Sequence, residues 1–142
     1  MEYHDSGFTT WDSADIYGPA EDFIGDFRPR LLAIKGNEEL DRIQGLTKWV
    51  PQPRRITRTI VNENIERSLR RMSVSSLDLL QFHWWDYNNP YYMDALKYLS
   101  DLMGKGIIKG LITDFCLDKS DSDAIDAVCT KPNNLFETIG LR

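Results

Sequence analysis

Four short apolar runs, each ending in a polar or charged residue and each of the first three followed by a helical stripe, constrain this chain most strongly. They span residues 7–11 ending at Asp12, 43–47 ending at Lys48, 77–82 ending at His83, and 107–112 ending at Thr113-Asp114. The run ends lie roughly 30–36 residues apart, about the length of one crossover helix with its loops. Between the runs the apolar period changes from strand-like to helical. Ile60, Val61, Ile65, Leu69 and Met72 fall on one stripe after the second run, and Glu63→Arg67 and Glu66→Arg70 are four-apart pairs in the favourable order on its outer face. After the third run, Asn89-Pro90 signals a cap and first turn; Ala95, Leu96, Leu99, Leu102 and Met103 continue the stripe to Gly104 and Gly106. After the first, Gly18-Pro19 opens a shorter helix carrying Phe23, Ile24 and Phe27, which Pro29 is expected to break.

Strand alternating with helix at a steady period means a parallel sheet covered by helices. A doubly wound sheet and a (β/α)8 barrel both satisfy that pattern. The first would normally carry a glycine-rich phosphate turn after its first strand. Here that turn is Asp12-Ser13-Ala14-Asp15-Ile16-Tyr17-Gly18, without the fingerprint. The expected fold is therefore α/β, a partial (β/α)8 barrel of about four strand-helix units.

The bulk numbers set the class. The 142 residues, 42% hydrophobic and 27% charged, are those of an ordinary globular domain. Net charge is −5, and basic residues are scattered apart from pairs such as Arg54-Arg55 and Arg70-Arg71, read as solvated surface. That balance argues against a nucleic-acid binder. Cys116 and Cys129 supply neither a disulfide framework nor metal spacing, which fits a reducing compartment. No stretch approaches the ~20 apolar residues of a membrane helix, and residues 1–5 carry acid where a leader would carry base. The expected location is the cytoplasm, or an organelle if an N-terminal segment precedes this one.

In such barrels the carboxyl ends of the strands converge on one mouth. Read in order, that rim carries Asp12 with Tyr17 just beyond, then Lys48, then His83. A free phenol has a pKa of about 10, too high for an efficient proton donor near neutral pH. A neighbouring ammonium lowers it by stabilising the phenolate, and a carboxylate beside the lysine keeps the ammonium charged and oriented. An imidazole can direct a carbonyl oxygen toward the phenol. The set suits carbonyl reduction by hydride transfer.

At these residues the chain resembles a known family. Residues 7–21, Gly-Phe-Thr-Thr-Trp-Asp-Ser-Ala-Asp-Ile-Tyr-Gly-Pro-Ala-Glu, are similar to the aldo-keto reductase signature of Asp-Ser/Thr-Ala, then Tyr-Gly and a following Glu. Leu46-Thr47-Lys48-Trp49 resembles the family's lysine-bearing strand, and residues 76–84 its histidine-bearing strand. The likeness covers roughly residues 5–115. It implies Tyr17 as general acid, Lys48 assisting it, Asp12 holding Lys48, His83 orienting the substrate carbonyl and Trp84 lining the substrate pocket. It also implies NADPH or NADH as cofactor, contacted in part by Asp12, Thr113 and Asp114, although Asp114 stands where the family usually has Asn. The implied substrate is a small carbonyl compound.

Against a whole barrel, the family's first strand and its sixth to eighth are not represented, which reads as a truncated product of low or no activity. Residues 1–118 are taken as the partial barrel and 119–142 as a divergent tail. The open strand edges are expected to favour self-association. Two other readings compete. One is a non-catalytic binding or regulatory protein on the same scaffold. The other is a metal-dependent hydrolase, which His4 and His83, the sole histidines, support poorly.

Overall fold

The computed structural model describes residues 1–86 and 88–113; Asp114 and the proposed tail lie outside the described residues. The chain opens with a short helix α1 (Glu2–Asp5), then strand β1 (Thr10–Asp12), helix α2 (Ala20–Lys35) and a one-turn helix α3 (Asn37–Asp41). Strand β2 (Gln44–Trp49), helix α4 (Arg58–Met72), strand β3 (Leu79–Phe82), helix α5 (Tyr92–Gly104) and strand β4 (Leu111–Thr113) follow. All strand pairs are parallel, and the spatial order is β1-β2-β3-β4. A doubly wound sheet reverses its order at a switch point. This sheet never does, and its sequential order is that of consecutive barrel strands.

Strand alternation divides the sheet into two faces. Gly45, Thr47 and Trp49 of β2 are buried, as are Leu80 and Phe82 of β3, and they turn toward the helices. Lys48 and Gln81 are register partners on the other face, the inner side of the arc, with Leu46 and Leu79 beside them. The core lies between sheet and helices. Val61, Ile65 and Met72 of α4 meet Ala95, Leu96 and Leu99 of α5 over Leu80, Phe82 and Trp84. The stripe expected on α4 is this face, with Ile60 and Leu69 half-buried at its margins. Thr57 caps the helix, its side chain accepting from the Ile60 amide.

Helix α2 departs from expectation. Pro29 lies inside it and does not end it. A helical proline forfeits one backbone hydrogen bond, but Ile24 and Leu31 are buried on either side of Pro29 and keep the segment docked. The helix stops instead at Gly36, whose φ of 87° is open to glycine at little cost. In α5 the start moves to Tyr92, because Asn89 and Pro90 form the preceding turn: Asn89 Oδ1 accepts from the Tyr91 amide at 3.1 Å.

Two helices meet backbone to backbone at Gly25. A Cβ built there would lie 1.9 Å from the carbonyl oxygen of Arg71, so only glycine lets α2 approach α4 this closely. Of the two charge pairs read on α4, Arg70–Glu66 forms at 3.9 Å, whereas Arg67 turns to Asn64 and to Asp15 at 3.8 Å.

Candidate active site

Parallel pairing brings the strand ends to one rim. Asp12 closes β1, Lys48 is the penultimate residue of β2, His83 follows β3 and Thr113 closes β4. Past β1 the chain continues along β2: the Ser13 amide donates to Leu46 O, and that of Asp15 to Lys48 O, each at 2.9 Å. The His83 amide donates to Trp49 O at 3.0 Å, which fixes the imidazole's backbone one residue past Lys48. Tyr17 sits in the turn that follows, its amide donating to Ala14 O and its carbonyl accepting from Ala20 N. The residue is 53% exposed.

Not every expected contact is made. Asp12 Oδ1 accepts from Gln81 Nε2 at 3.2 Å, and among the described residues no ion pair joins Asp12 to Lys48. Gln81, the register partner of Lys48, therefore stands where the lysine was expected to act on the carboxylate. Trp84, read as a pocket wall, is fully buried in the core, with Nε1 donating to Asp86 O at 2.7 Å. A side chain without exposure lines no open pocket. Strand alternation accounts for it: Leu80 and Phe82 face the helices, so Trp84 does too. The neighbouring Trp85 is 60% exposed and packs edge-on against His83, ring centroids 4.2 Å apart. Thr113 pairs with Phe82, on the sheet face opposite Gln81.

Behind the Tyr17 turn lies a charged cluster around Arg71, a residue expected from the sequence to be solvated surface. Glu21 is fully buried; Thr47 Oγ1 donates to its Oε1 at 2.7 Å, and Arg71 Nη1 stands 3.0 Å from its Oε2. Arg71 also forks onto Asp22, with Nε donating at 3.0 and 3.1 Å and Nη2 at 2.9 Å. The hydrogen bonds from Arg71 hold the Asp22 carboxyl below its usual range. Burial does the reverse to Asp15, pushing its carboxyl up despite the amide of Val50 that donates to it.

The sign of the Asp22 effect fixes a pH dependence. A depressed carboxylate adds stability above its unfolded pKa, and the gain is lost as pH falls through the folded value. Asp22→Asn is therefore expected to narrow the difference in urea midpoint between neutral pH and pH 3. An equal difference in both proteins would contradict the Arg71–Asp22 coupling.

A model of the aldo/keto reductase family matches residues 2–113. The chain belongs to the aldo/keto reductase family. It is 30% identical over 119 residues to an aldo-keto reductase of Strobilurus tenacellus, covering 82% of this chain and 33% of the relative. It is 30% identical over 145 residues to an aldo-keto reductase of Bacillus subtilis, covering 94% of this chain and 42% of the relative. Among solved structures, a Klebsiella pneumoniae aldo-keto reductase in complex with NADPH superposes with a TM-score of 0.59 at 25% identity, over 85% of this chain and 39% of that one. The chain thus spans about a third to two-fifths of the curated relatives it matches. Its neighbours are (β/α)8 barrels, of which these four strands form a part. No helix among the described residues is long and apolar enough to cross a membrane.

Proposed function

We propose that this segment carries the proton-delivering side of an NAD(P)H-dependent carbonyl reductase, acting on aldehydes or ketones. The observation that carries the reading is the shared rim: Tyr17 past β1, Lys48 near the end of β2 and His83 past β3 stand at the same end of one parallel sheet. In this reading Tyr17 Oη donates the proton to the carbonyl oxygen. Lys48 stabilises the phenolate left behind. His83 donates a hydrogen bond that turns the carbonyl oxygen toward Tyr17, and Trp85 gives the substrate an apolar surface.

The rim also fits the nicotinamide end of the cofactor. Asp12 is exposed, and Gln81 occupies only one of its oxygens, so acceptor capacity remains for a ribose or amide donor. When bound, the cofactor supplies the hydride equivalent that reduction requires. Asp12 and Asp114 are the residues proposed to contact it, Asp114 lying outside the described residues; Thr113 shares the helix-facing side of the sheet with Phe82 and is not assigned a contact. Because the segment covers a minor share of its relatives' length, we assign low or no turnover to these 142 residues taken alone.

One observation favours a second reading, a binding or regulatory protein on the same scaffold: Asp12 engages Gln81 rather than Lys48. Lys48→Met separates the two. In a form of the protein that reduces a carbonyl, the catalytic reading expects the rate to fall on the order of 10²-fold or more. The limb of the pH profile assigned to the phenol should disappear with it. An unchanged rate and profile would remove Lys48 from the chemistry.

A further inference from the structure

Arg71 has no place in the chemistry just proposed, yet it is the most heavily engaged side chain behind the rim. It stands in the last turn of α4, and its contacts reach 49 to 56 residues back along the chain. All three guanidinium nitrogens are used. Nε and Nη2 fork onto Asp22; Nη1 faces buried Glu21 at 3.0 Å and donates to Asp15 O at 3.5 Å; Nη2 also donates to Gly18 O. The two carbonyls lie on either side of Tyr17, one before Ile16 and one directly after the tyrosine.

We infer that Arg71 is the positioning residue of the Tyr17 turn, clamping the backbone on both sides of the tyrosine from helix α4. The inference deepens the proposed function and rests on it for its meaning in catalysis. Up to Asp15 the chain is already tied to β2 by the amides of Ser13 and Asp15. Beyond Asp15 the backbone contacts of Tyr17 are local to its own turn, so Arg71 supplies the link to the body of the protein there. Gly18, at φ 56°, takes the left-handed conformation that closes the turn, and its carbonyl reaches the guanidinium.

The anchor is itself closely packed. The Arg71 carbonyl sits against Gly25, so the residue's backbone has no room to shift toward α2. Glu21 and Asp22, at the start of α2, then fix the orientation of the planar group. A guanidinium suits this task because a rigid fork can serve two carboxylates and two carbonyls at once, which an ammonium cannot.

The difference between arginine and lysine gives the test. Arg71→Lys keeps a cation near Glu21 and loses the fork. On the 142-residue chain, amide exchange over residues 13–20 is expected to quicken roughly tenfold, since exchange follows local opening, with β3 and α5 unchanged. In protein labelled with 3-fluorotyrosine, the Tyr17 fluorine resonance, identified by its loss in Tyr17→Phe, should move toward that of an unstructured tyrosine. Met103→Ala, which loosens a half-buried core contact of α5 away from the turn, is the control for general destabilisation. An unmoved resonance with unchanged exchange in Arg71→Lys would overturn the inference. So would a rise over residues 13–20 that the control reproduces. If Arg71→Lys does not fold, Asp22→Asn carries the same test: a rise confined to the turn supports the clamp, and an unchanged turn overturns it. None of these readouts requires turnover, so Tyr17→Phe retaining reductase activity would remove the acid and leave the clamp standing.

Discussion

Replacing Gly25 with alanine is expected to cost on the order of 3 kcal/mol, the upper part of the range for overpacking a close contact. The new methyl would meet the Arg71 carbonyl at 1.9 Å, and that oxygen belongs to helix backbone, which cannot rotate aside. Helix α2 would have to move off α4, and with it the Glu21–Arg71 pair and the buried side of Ile24. The ~1 kcal/mol that alanine gains over glycine in helix propensity does not offset this. Urea unfolding should show the midpoint reduced by roughly 1–2 M. Gly104→Ala is the matched control: it also lies in a helix, and a Cβ there meets nothing within 4 Å. Equal midpoints for the two variants would mean that the close approach of α2 and α4 is misplaced.

The local periodicities of this chain were legible because each is enforced by burial on one side. Val61, Ile65 and Met72 on α4, and Ala95, Leu96, Leu99 and Leu102 on α5, fall at helical spacing because only one stripe of each helix meets the sheet. The runs of β2, β3 and β4 read correctly for the same reason, each with buried residues; β1 has none, and both β1 and β4 are shorter than their apolar runs. Pro29 misled because a local rule about helix breaking was overridden by the burial of Leu31 beyond it. Helix α3, at residues 37–41, has no buried residue and hence no apolar stripe to announce it.

The candidate site divides in the same way. Asp12, Lys48 and His83 were visible as strand-end residues, since their place follows from where the apolar runs stop. Partnerships across the sheet were not. Gln81 is bonded to Asp12 from 69 positions away, and no run of sequence relates the two. Its signal was a polar residue within an apolar run that also holds Asp78, two places before His83 and therefore on the same face. The same alternation, counted on from Leu80 and Phe82, would have sent Trp84 to the core and left Trp85 at the surface. Arg71 looked like half of a solvated pair, because nothing local distinguishes it from Arg70; among the described residues the one is bound to Glu21, Asp22 and the turn, the other to Glu66.

The larger functional effect is expected at Tyr17. The phenol oxygen is the one atom in the proposed scheme that passes a proton to substrate, and the exposed turn that holds it is supported from behind by Arg71. Tyr17→Phe removes that oxygen and leaves the ring. The turn keeps its backbone hydrogen bonds to Ala14 and Ala20, so the fold should persist. The decisive measurement is carbonyl-dependent oxidation of NADPH by a form of the protein that performs it, compared with its Tyr17→Phe variant, alongside NADPH titration followed by tryptophan fluorescence. The account predicts a rate lower by about 10²–10⁴-fold, the usual contribution of a positioned general acid, with NADPH affinity nearly unchanged. Reduction at the parent rate by Tyr17→Phe would contradict it.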